Sequence, residues 1–467
     1  MLYSFTGGAD GGEPFAGVIR DSAGNLYGTT LLGGATNAGV VYKLDTAGKE
    51  TLLYSFTGCA DGREPFAGVI RDSAGNLYGT TLEGGTAEAG VVFKLDTAGQ
   101  QAVLYSFTAA AAGSQPYSGV IRDSAGNLYG TTLLGGATNA GVVFKVNTAG
   151  KGTVLHTFTG GADGGGPYAG VIRDSAGNLY GTTSWGGTAG AGVVYKLDPA
   201  GRETVLYNFT GGADGSGPQA GVIRDTAGNL YGTTVRGGAT GSGVVYKLDM
   251  AGHETVLYSF TGGVDGAWPY GGVIRDSAGT LYGTTSFGGT SNGICSDVVP
   301  LGCGVVFKLD PAGHETVLYS FTGGADGGWP DGDLIRDSAG NLYGNTSGLG
   351  SPFCVGCGVV YRLDAAGHET VLYSFTGGAD GAGPNAGVIR DSAGNLYGTT
   401  YGGGTAGAGV VYKLDTAGQE TVLYSFTGGA DGGNPFAGVI RDSAGNLYGT
   451  TSGGGTGGGG VVFKLTP

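Results

Sequence analysis

The sequence predicts an all-β fold, a nine-bladed β-propeller of four-stranded antiparallel blades that spans residues 1–467 as a single domain. The first observation behind this prediction is a repeat. A stretch that begins with Ile19-Arg20-Asp21 and ends with Gly28-Thr29-Thr30 occurs nine times, and its copies lie 51 residues apart except for two spacings of 61 and 54. A constant period of this size is typical of repeat architectures, in which each unit packs against the next.

The second observation is the distribution of glycine. Glycine accounts for 106 of the 467 residues, and it stands at fixed offsets between short apolar runs rich in Val, Tyr, Phe and Thr. Such runs, bounded by glycine-rich turns, are typical of short β-strands. No helical periodicity continues for three turns. The strand-like runs and this lack of helical periodicity together favour an all-β chain.

The third observation is the number of strands in each repeat. The first full repeat contains four strand patterns, which we name strand A (17–20), strand B (26–30), strand C (40–44) and strand D (52–56). Four short strands in a period near 50 match one blade of a β-propeller. Gly28 interrupts strand B, and a glycine there predicts an aromatic side chain lying over it.

The two ends of the chain predict how the blades close. The chain starts within a strand D pattern and stops after a strand C pattern. We therefore expect the N-terminal strand, residues 2–6, to pair with the last blade, residues 438–465, which lacks its own strand D. This pairing would remove two exposed sheet edges.

The repeat resembles a known family. The resemblance rests on the run Asn25-Leu26-Tyr27-Gly28-Thr29-Thr30, the pair Gly33-Gly34 and the run Gly39-Val40-Val41-Tyr42-Lys43-Leu44. These runs resemble the GloVer tandem repeat of bacterial extracellular proteins, and the Asp-x-x-Gly-Asn-Leu-Tyr hairpin is similar to that of NHL-type blades. The resemblance implies a propeller within a secreted or cell-surface protein, and it supplies no catalytic residues.

The charge of the chain narrows the choice of partners. The formal net charge is −14, and the basic residues are spread through the repeats without forming a stripe. We therefore expect no nucleic-acid partner. No apolar run reaches about 18 residues, so we expect no membrane span. No signal peptide or anchor stands in this chain, and we expect a monomer without a cofactor or a metal ion.

Variation between the repeats is concentrated on one face. Strand direction alternates within a blade, so the D–A loops (7–14 and equivalents) share a face with the B–C loops (31–39 and equivalents), which we call the loop face. Binding residues often lie on such loops, and aromatic rings there could stack on carbohydrate or hold a peptide. The alternative is that these rings cover glycine-rich loops. The candidate ligand-binding residues are Trp185, Trp268, Phe287, Trp329, Asp331, Asp333 and Tyr401.

The sixth and seventh repeats have longer B–C loops that contain cysteines. Local disulfides, Cys295–Cys303 and Cys354–Cys357, are the simplest interpretation, and they would fit an oxidising compartment. A four-cysteine zinc site is an alternative. Cys59 is left over and is expected to be free.

Two repeated charged residues allow more than one interpretation. Asp10 and its equivalents occur in eight of nine D–A loops, with Ala112 in the remaining loop. They could bind calcium, but a turn role is favoured because calcium needs six to eight oxygen ligands. Arg20 and its equivalents could ring a central channel and attract anions, but pairing of each with a neighbouring aspartate or a turn carbonyl is favoured.

These observations favour a non-enzymatic extracellular binding or scaffold module with an unknown ligand. Near-identical blades supply the same residues nine times, whereas a catalytic site needs different residues in different roles. One alternative is a carbohydrate-active or lyase-type enzyme that uses Asp331 and Asp333. Another is a structural, designed or recently amplified repeat protein without a ligand.

Overall fold

The computed structural model describes residues 2–108, 113–116, 118–149, 151–290, 302–330, 334–348, 357–365, 367–455 and 458–466. Within these residues the chain is all-β and forms a nine-bladed β-propeller of four-stranded antiparallel sheets, as predicted. No helix in these ranges is long and apolar enough to cross a membrane. Close contacts divide the chain into two compact units. That residues 1–467 form a single domain stays a prediction.

The first unit comprises residues 1–208, 428–433 and 440–467. Its described strands form five sheets. They are β1 (Tyr3–Ser4), β2 (Ile19–Arg20), β3 (Leu26–Thr30), β4 (Val40–Leu44), β5 (Glu50–Ser55), β6 (Ile70–Arg71), β7 (Leu77–Thr81), β8 (Val91–Leu95), β9 (Gln101–Ser106), β10 (Ile121–Arg122), β11 (Leu128–Thr132), β12 (Val142–Val146), β13 (Gly152–Thr157), β14 (Ile172–Arg173), β15 (Leu179–Thr183), β16 (Val193–Leu197), β17 (Glu203–Asn208), β34 (Ile440–Arg441), β35 (Leu447–Thr451) and β36 (Val461–Leu465).

The second unit comprises residues 209–427 and 434–439. Its described strands form four sheets. They are β18 (Ile223–Arg224), β19 (Leu230–Thr234), β20 (Val244–Leu248), β21 (Glu254–Ser259), β22 (Ile274–Arg275), β23 (Leu281–Thr285), β24 (Val305–Leu309), β25 (Glu315–Ser320), β26 (Ile335–Arg336), β27 (Leu342–Thr346), β28 (Val359–Leu363), β29 (Glu369–Ser374), β30 (Ile389–Arg390), β31 (Leu396–Thr400), β32 (Val410–Leu414) and β33 (Glu420–Ser425).

The N-terminal strand completes the last blade. Strand β1 pairs antiparallel with β36, with Tyr3 opposite Val462 and Ser4 opposite Val461. The sheet order is β1-β36-β35-β34, so β1 takes the place of a strand D. The predicted closure is therefore confirmed, although the paired segment is shorter than residues 2–6.

Strands B and C have the predicted bounds, whereas strands A and D differ. Strand A is limited to two residues, since Ile19 and Arg20 alone pair with strand B. Strand D begins at Glu50 and ends at Ser55, and a register shift between Val41 and Tyr42 lets it pair along the whole of strand C. Strand D ends there because the Phe56 N–H donates to the carbonyl of Gly39, in the B–C loop.

Aromatic side chains form the core where one blade meets the next. The phenylalanine that follows strand D is fully buried and meets the central aromatic of the next strand C edge-on, as Phe56 meets Phe93 with ring centroids 5.1 Å apart. The strand C ring also lies over the glycine of its own strand B, because a Cβ on Gly79 would lie 2.7 Å from Phe93 Cζ. The prediction that an aromatic covers this glycine is confirmed.

Candidate functional site

The hairpins formed by strands A and B carry a repeated polar contact on the face opposite the loop face. Asp72, in the A–B turn, accepts hydrogen bonds from the Asn76 N–H (2.8 Å), from Asn76 Nδ2 (2.9 Å) and from the Tyr78 hydroxyl (3.0 Å). Arg122 of the next blade lies 3.6 Å from the Asp72 carboxylate, and its guanidinium lies over the Tyr78 ring at 5.6 Å. We call this group the inter-blade latch.

The latch recurs within each unit. In the first unit its ion pairs are Arg20–Asp442, Arg71–Asp21, Arg122–Asp72 and Arg173–Asp123. In the second unit they are Arg275–Asp225, Arg336–Asp276 and Arg390–Asp337. The prediction that an arginine pairs with a neighbouring aspartate is confirmed for these seven arginines, and the contact joins one blade to the next.

Asp72 and Asp442 of the latch remain ionised over an extended pH range. Burial would raise the pKa of Asp72, but hydrogen bonds from Asn76 and Tyr78 and the positive charge of Arg122 lower it. The same balance lowers the pKa of Asp442 to about 2. Hydrogen bonds and a cation both favour the charged form of a carboxyl group, so they outweigh desolvation here.

The repeated aspartates of the D–A loops hold those loops together. Asp265 accepts hydrogen bonds from the Tyr258 hydroxyl (2.9 Å), from the Thr261 N–H (2.6 Å) and from the Thr261 hydroxyl. The favoured turn role is therefore confirmed, although the bonds run back to earlier residues. Ala112, which replaces this aspartate in the third repeat, lies outside the described residues.

Two predicted aromatic residues lie over glycines of the loop that pairs with their own. The Trp185 ring is 40% exposed and covers Gly160 and Gly165, because a Cβ on either glycine would lie within 2.7 Å of it. The Trp329 ring lies in the same way against Gly348 and packs against a buried apolar cluster. For both tryptophans, one side of the ring packs against loop glycines and is therefore closed to a ligand.

Trp268 and Phe287 are brought together by the pairing of their loops. Residues 267 and 287 form an isolated antiparallel bridge, and the rings of Trp268 and Phe287 meet edge-on with centroids 5.0 Å apart. Arg236, from the preceding blade, lies 6.0 Å from the Trp268 ring centroid. A cation at this distance from an indole ring is attracted to its face.

Tyr401 is the predicted aromatic with the most open surroundings. It is 43% exposed and lies edge-on to Phe436, which is 46% exposed, with ring centroids 6.4 Å apart. The two loop positions that hold Trp268 and Phe287 in the sixth repeat are occupied by Gly383 and Gly402 in this one. Asn434 Nδ2 donates to the Tyr401 carbonyl at 3.0 Å. We call Tyr401, Phe436 and Asn434 the open aromatic site.

Sequence reasoning missed part of this surface. Phe436, Tyr168 and Tyr270 each directly follow the proline that recurs in the D–A loops, and each is between 42% and 46% exposed. Their shared position directly after that proline was the signal that could have identified them. The predicted candidates Asp331 and Asp333 lie outside the described residues.

The structure describes three of the five cysteines. Cys59 is free and exposed, as predicted, whereas Cys303 and Cys357 are buried. Cys295 and Cys354 lie outside the described residues, so the pairs Cys295–Cys303 and Cys354–Cys357 stay predictions.

Thiol counting tests these pairs. We expect one reactive thiol per chain in the denatured, non-reduced protein, because Cys59 is the only one of the five cysteines left out of the two predicted disulfides. Cys59→Ser is then expected to leave no reactive thiol, and peptide mapping should recover each local pair. Five reactive thiols in a sample kept from reductants would contradict the prediction.

The fold and the repeated latch define the class of this protein: it is a tandem-repeat β-propeller. The chain belongs to the Gloeobacter/Verrucomicrobia repeat family, whose pattern matches residues 1–174, 150–351 and 292–467. The resemblance noted in the sequence is therefore confirmed. No curated protein matches the chain.

Several solved structures are similar to this chain at low identity. The extracellular domain assigned to a one-component system of B. thetaiotaomicron is 14% identical with a TM-score of 0.39, covering 97% of this chain and 51% of that one. Porphyromonas gingivalis dipeptidyl peptidase 4 is 11% identical with a TM-score of 0.47, covering 96% of this chain and 65% of that one. Pseudomonas aeruginosa periplasmic gluconolactonase is 15% identical with a TM-score of 0.36, covering 72% of this chain and 96% of that one. This chain thus spans about half to two thirds of the length of the first two.

Proposed function

We propose that this chain is a non-enzymatic binding module of a secreted or cell-surface protein, and that its ligand binds to the loop face. One observation carries the proposal. Among the described residues, every exposed phenylalanine, tyrosine or tryptophan lies in a D–A or B–C loop: Tyr168, Trp185, Tyr270, Tyr401 and Phe436. Exposed aromatic residues gathered on one surface are typical of interaction sites.

The open aromatic site is the most favourable part of this face for a ligand. Tyr401 and Phe436 offer two rings at right angles, and glycines at the neighbouring loop positions leave room beside them. An aromatic ring with an adjacent polar group can stack on one part of a ligand and hydrogen-bond another. A carbohydrate or a peptide has both apolar faces and polar groups, so we propose these as the ligand classes.

The cysteines and the charge support the remaining parts of the proposal. The predicted disulfides Cys295–Cys303 and Cys354–Cys357 would favour an oxidising compartment outside the cytoplasm. The formal net charge of −14 disfavours nucleic acid as a partner. We propose that the module acts as a monomer.

The binding proposal is tested with glycan arrays and a peptide library probed with the whole chain. We expect a ligand whose affinity falls at least about tenfold in Tyr401→Ala and Phe436→Ala, as when an aromatic anchor of roughly 1.4 kcal/mol or more is removed. Met250→Ala is the control, because Met250 is 73% exposed but lies in a C–D turn on the opposite face. A ligand that binds both aromatic variants as tightly as the unchanged chain would contradict this site. Folded protein that binds nothing on either panel would contradict the function.

A further inference from the structure

A second repeated polar group involves strand D, an end strand in the order of each sheet. In most repeats strand D begins with a glutamate, of which Glu369 at the start of β29 is an example. Its side chain is half-buried, and its Oε1 is shielded from solvent without a hydrogen-bond partner among the described residues. An unpaired carboxylate oxygen in such a place strongly disfavours the charged form.

Glu369 faces a second carboxylate across the boundary between two blades. Asp326, in the D–A loop that leads from the preceding blade, is 7% exposed and accepts hydrogen bonds from the Tyr319 hydroxyl (2.9 Å) and the Thr322 N–H (2.7 Å). Burial, together with the charge of Asp326, raises the pKa of Glu369 to about 7. Among the described residues, Tyr319 and the buried Tyr361 also face Glu369. Burial raises the pKa of both tyrosines, and the negative charge of Glu369 raises both further, together with that of Asp326 in the case of Tyr319.

The same pair recurs in both units, and we call these pairs the seam carboxylates. In each pair the pKa of the glutamate is raised to about 7. Burial is the larger cause, and the negative charge of the facing aspartate is the smaller one. In the first unit the pairs are Glu50–Asp10 and Glu203–Asp163. In the second unit they are Glu315–Asp265, Glu369–Asp326 and Glu420–Asp380. Facing tyrosines are Tyr3, Tyr258 and Tyr373, and His156 lies 3.4 Å from Asp163.

Among the eight strands D from β5 to β33, two lack the glutamate, and in neither of these two seams do two carboxylates face each other. In the second repeat Gln101 takes the position of the glutamate, and glutamine has the shape of a neutral glutamic acid. In the third repeat Gly152 takes that position, Ala112 replaces the aspartate, and the Tyr105 ring lies against Gly152. The seam therefore accommodates a neutral partner or no partner at all.

We propose that the seam carboxylates make the packing of the blades responsive to pH, with neutral glutamates joining the outer strands tightly in mildly acidic solution and ionised glutamates loosening them in mildly alkaline solution. The ordinary pKa of glutamate is 4.5, and the folded value is about 7. Between these values the folded chain keeps protons that the unfolded chain releases, so stability falls as the pH rises. The contribution is complete below pH 4.5 and is lost as the pH passes 7.

The test compares thermal unfolding of the whole chain between pH 5.5 and pH 8.5. The unchanged chain is expected to lose several degrees of Tm over this interval. The fivefold variant Glu50→Gln, Glu203→Gln, Glu315→Gln, Glu369→Gln and Glu420→Gln is expected to lose this dependence and to be the more stable protein at pH 8.5. The exposed residues His253, His314 and His368 each lie close to an aspartate, and they are present in both proteins.

A single-site comparison and a direct titration complete the test. Glu369→Gln should reduce the loss of Tm, whereas Glu88→Gln, at a glutamate whose side chain is 58% exposed, should leave it unchanged. Carboxyl carbon NMR of the unchanged chain should show glutamates that titrate near pH 7, and this measurement does not depend on the folding of any variant. A Tm that stays level or rises between pH 5.5 and pH 8.5, or seam glutamates that titrate near pH 4.5, would overturn the proposal.

Discussion

Gly181→Ala is expected to destabilise the protein by about 1–3 kcal/mol, the usual cost of forcing an extra methyl group into a packed core. Gly181 lies in the middle of strand B of its blade, where an added Cβ would lie 2.5 Å from the Tyr195 hydroxyl oxygen and 2.7 Å from Tyr195 Cζ. The Tyr195 ring is fully buried and meets Phe158 edge-on at 5.0 Å, so it has no room to withdraw. Denaturant unfolding monitored by circular dichroism measures the change.

Two matched variants show whether the clash is the cause. Tyr195→Phe removes the nearest atom, so it should recover part of the stability lost in Gly181→Ala. Gly119→Ala should be nearly neutral, because Gly119 is exposed and an added Cβ there meets nothing within 4 Å. Equal unfolding midpoints for Gly181→Ala and Gly119→Ala would show that strand B does not need a glycine at this position.

Asp72→Ala is expected to destabilise the protein by about 3 kcal/mol, since it leaves several donors without their acceptor. The Asn76 amide, the Tyr78 hydroxyl and the Arg122 guanidinium all lose the same partner. Asp72→Asn keeps an acceptor oxygen and loses the charge, so it should cost less. Unfolding midpoints in denaturant measure both changes.

The control for Asp72→Ala is an aspartate whose hydrogen bonds stay within its own turn. Asp96 accepts hydrogen bonds from the backbone N–H groups of Ala98 (2.9 Å) and Gln100 (2.8 Å). These donors can turn to water when the carboxylate is removed, so Asp96→Ala should cost less than Asp72→Ala. An Asp72→Ala variant as stable as Asp96→Ala would mean that the latch does not join the blades energetically.

The latch and the seam carboxylates together predict where stability is greatest. The pKa of Asp72 is lowered in the folded protein, so the stability that it provides is present above its ordinary value of 3.8 and is lost as the pH falls through the folded value. The seam glutamates act in the opposite direction as the pH rises towards 7. Stability is therefore expected to be greatest in mildly acidic solution, between these two limits.

Much of the architecture follows from local sequence. Strands B and C can be located to the residue, because each is a run of apolar residues bounded by turn residues whose backbone preferences are local. The N-terminal strand can be matched to the last blade because the repeat itself shows which strand is missing there. The pairing of Arg20 with an aspartate follows from the regular recurrence of both residues in every repeat.

The candidate site is less accessible to sequence reasoning. Trp185 and Tyr401 are both aromatic candidates in B–C loops. Trp185 covers glycines of the D–A loop that pairs with its own loop, whereas Tyr401 has open space beside it. Which of these occurs depends on the residue that the D–A loop places opposite, as Gly383 is placed opposite the open aromatic site. That residue is separated in sequence and becomes a neighbour only when the loops pair.

The sequence by itself determined the repeat, the all-β fold, the number of blades and the way the last blade is completed, because periodicity and turn chemistry are properties of neighbouring residues. Only the tertiary structure decided that Glu50 faces Asp10 across a boundary between blades. Forty residues separate this pair in the chain. Their proximity arises from the packing of one blade against the next, and burial at that boundary, which no local pattern records, is the first cause of the raised pKa of Glu50.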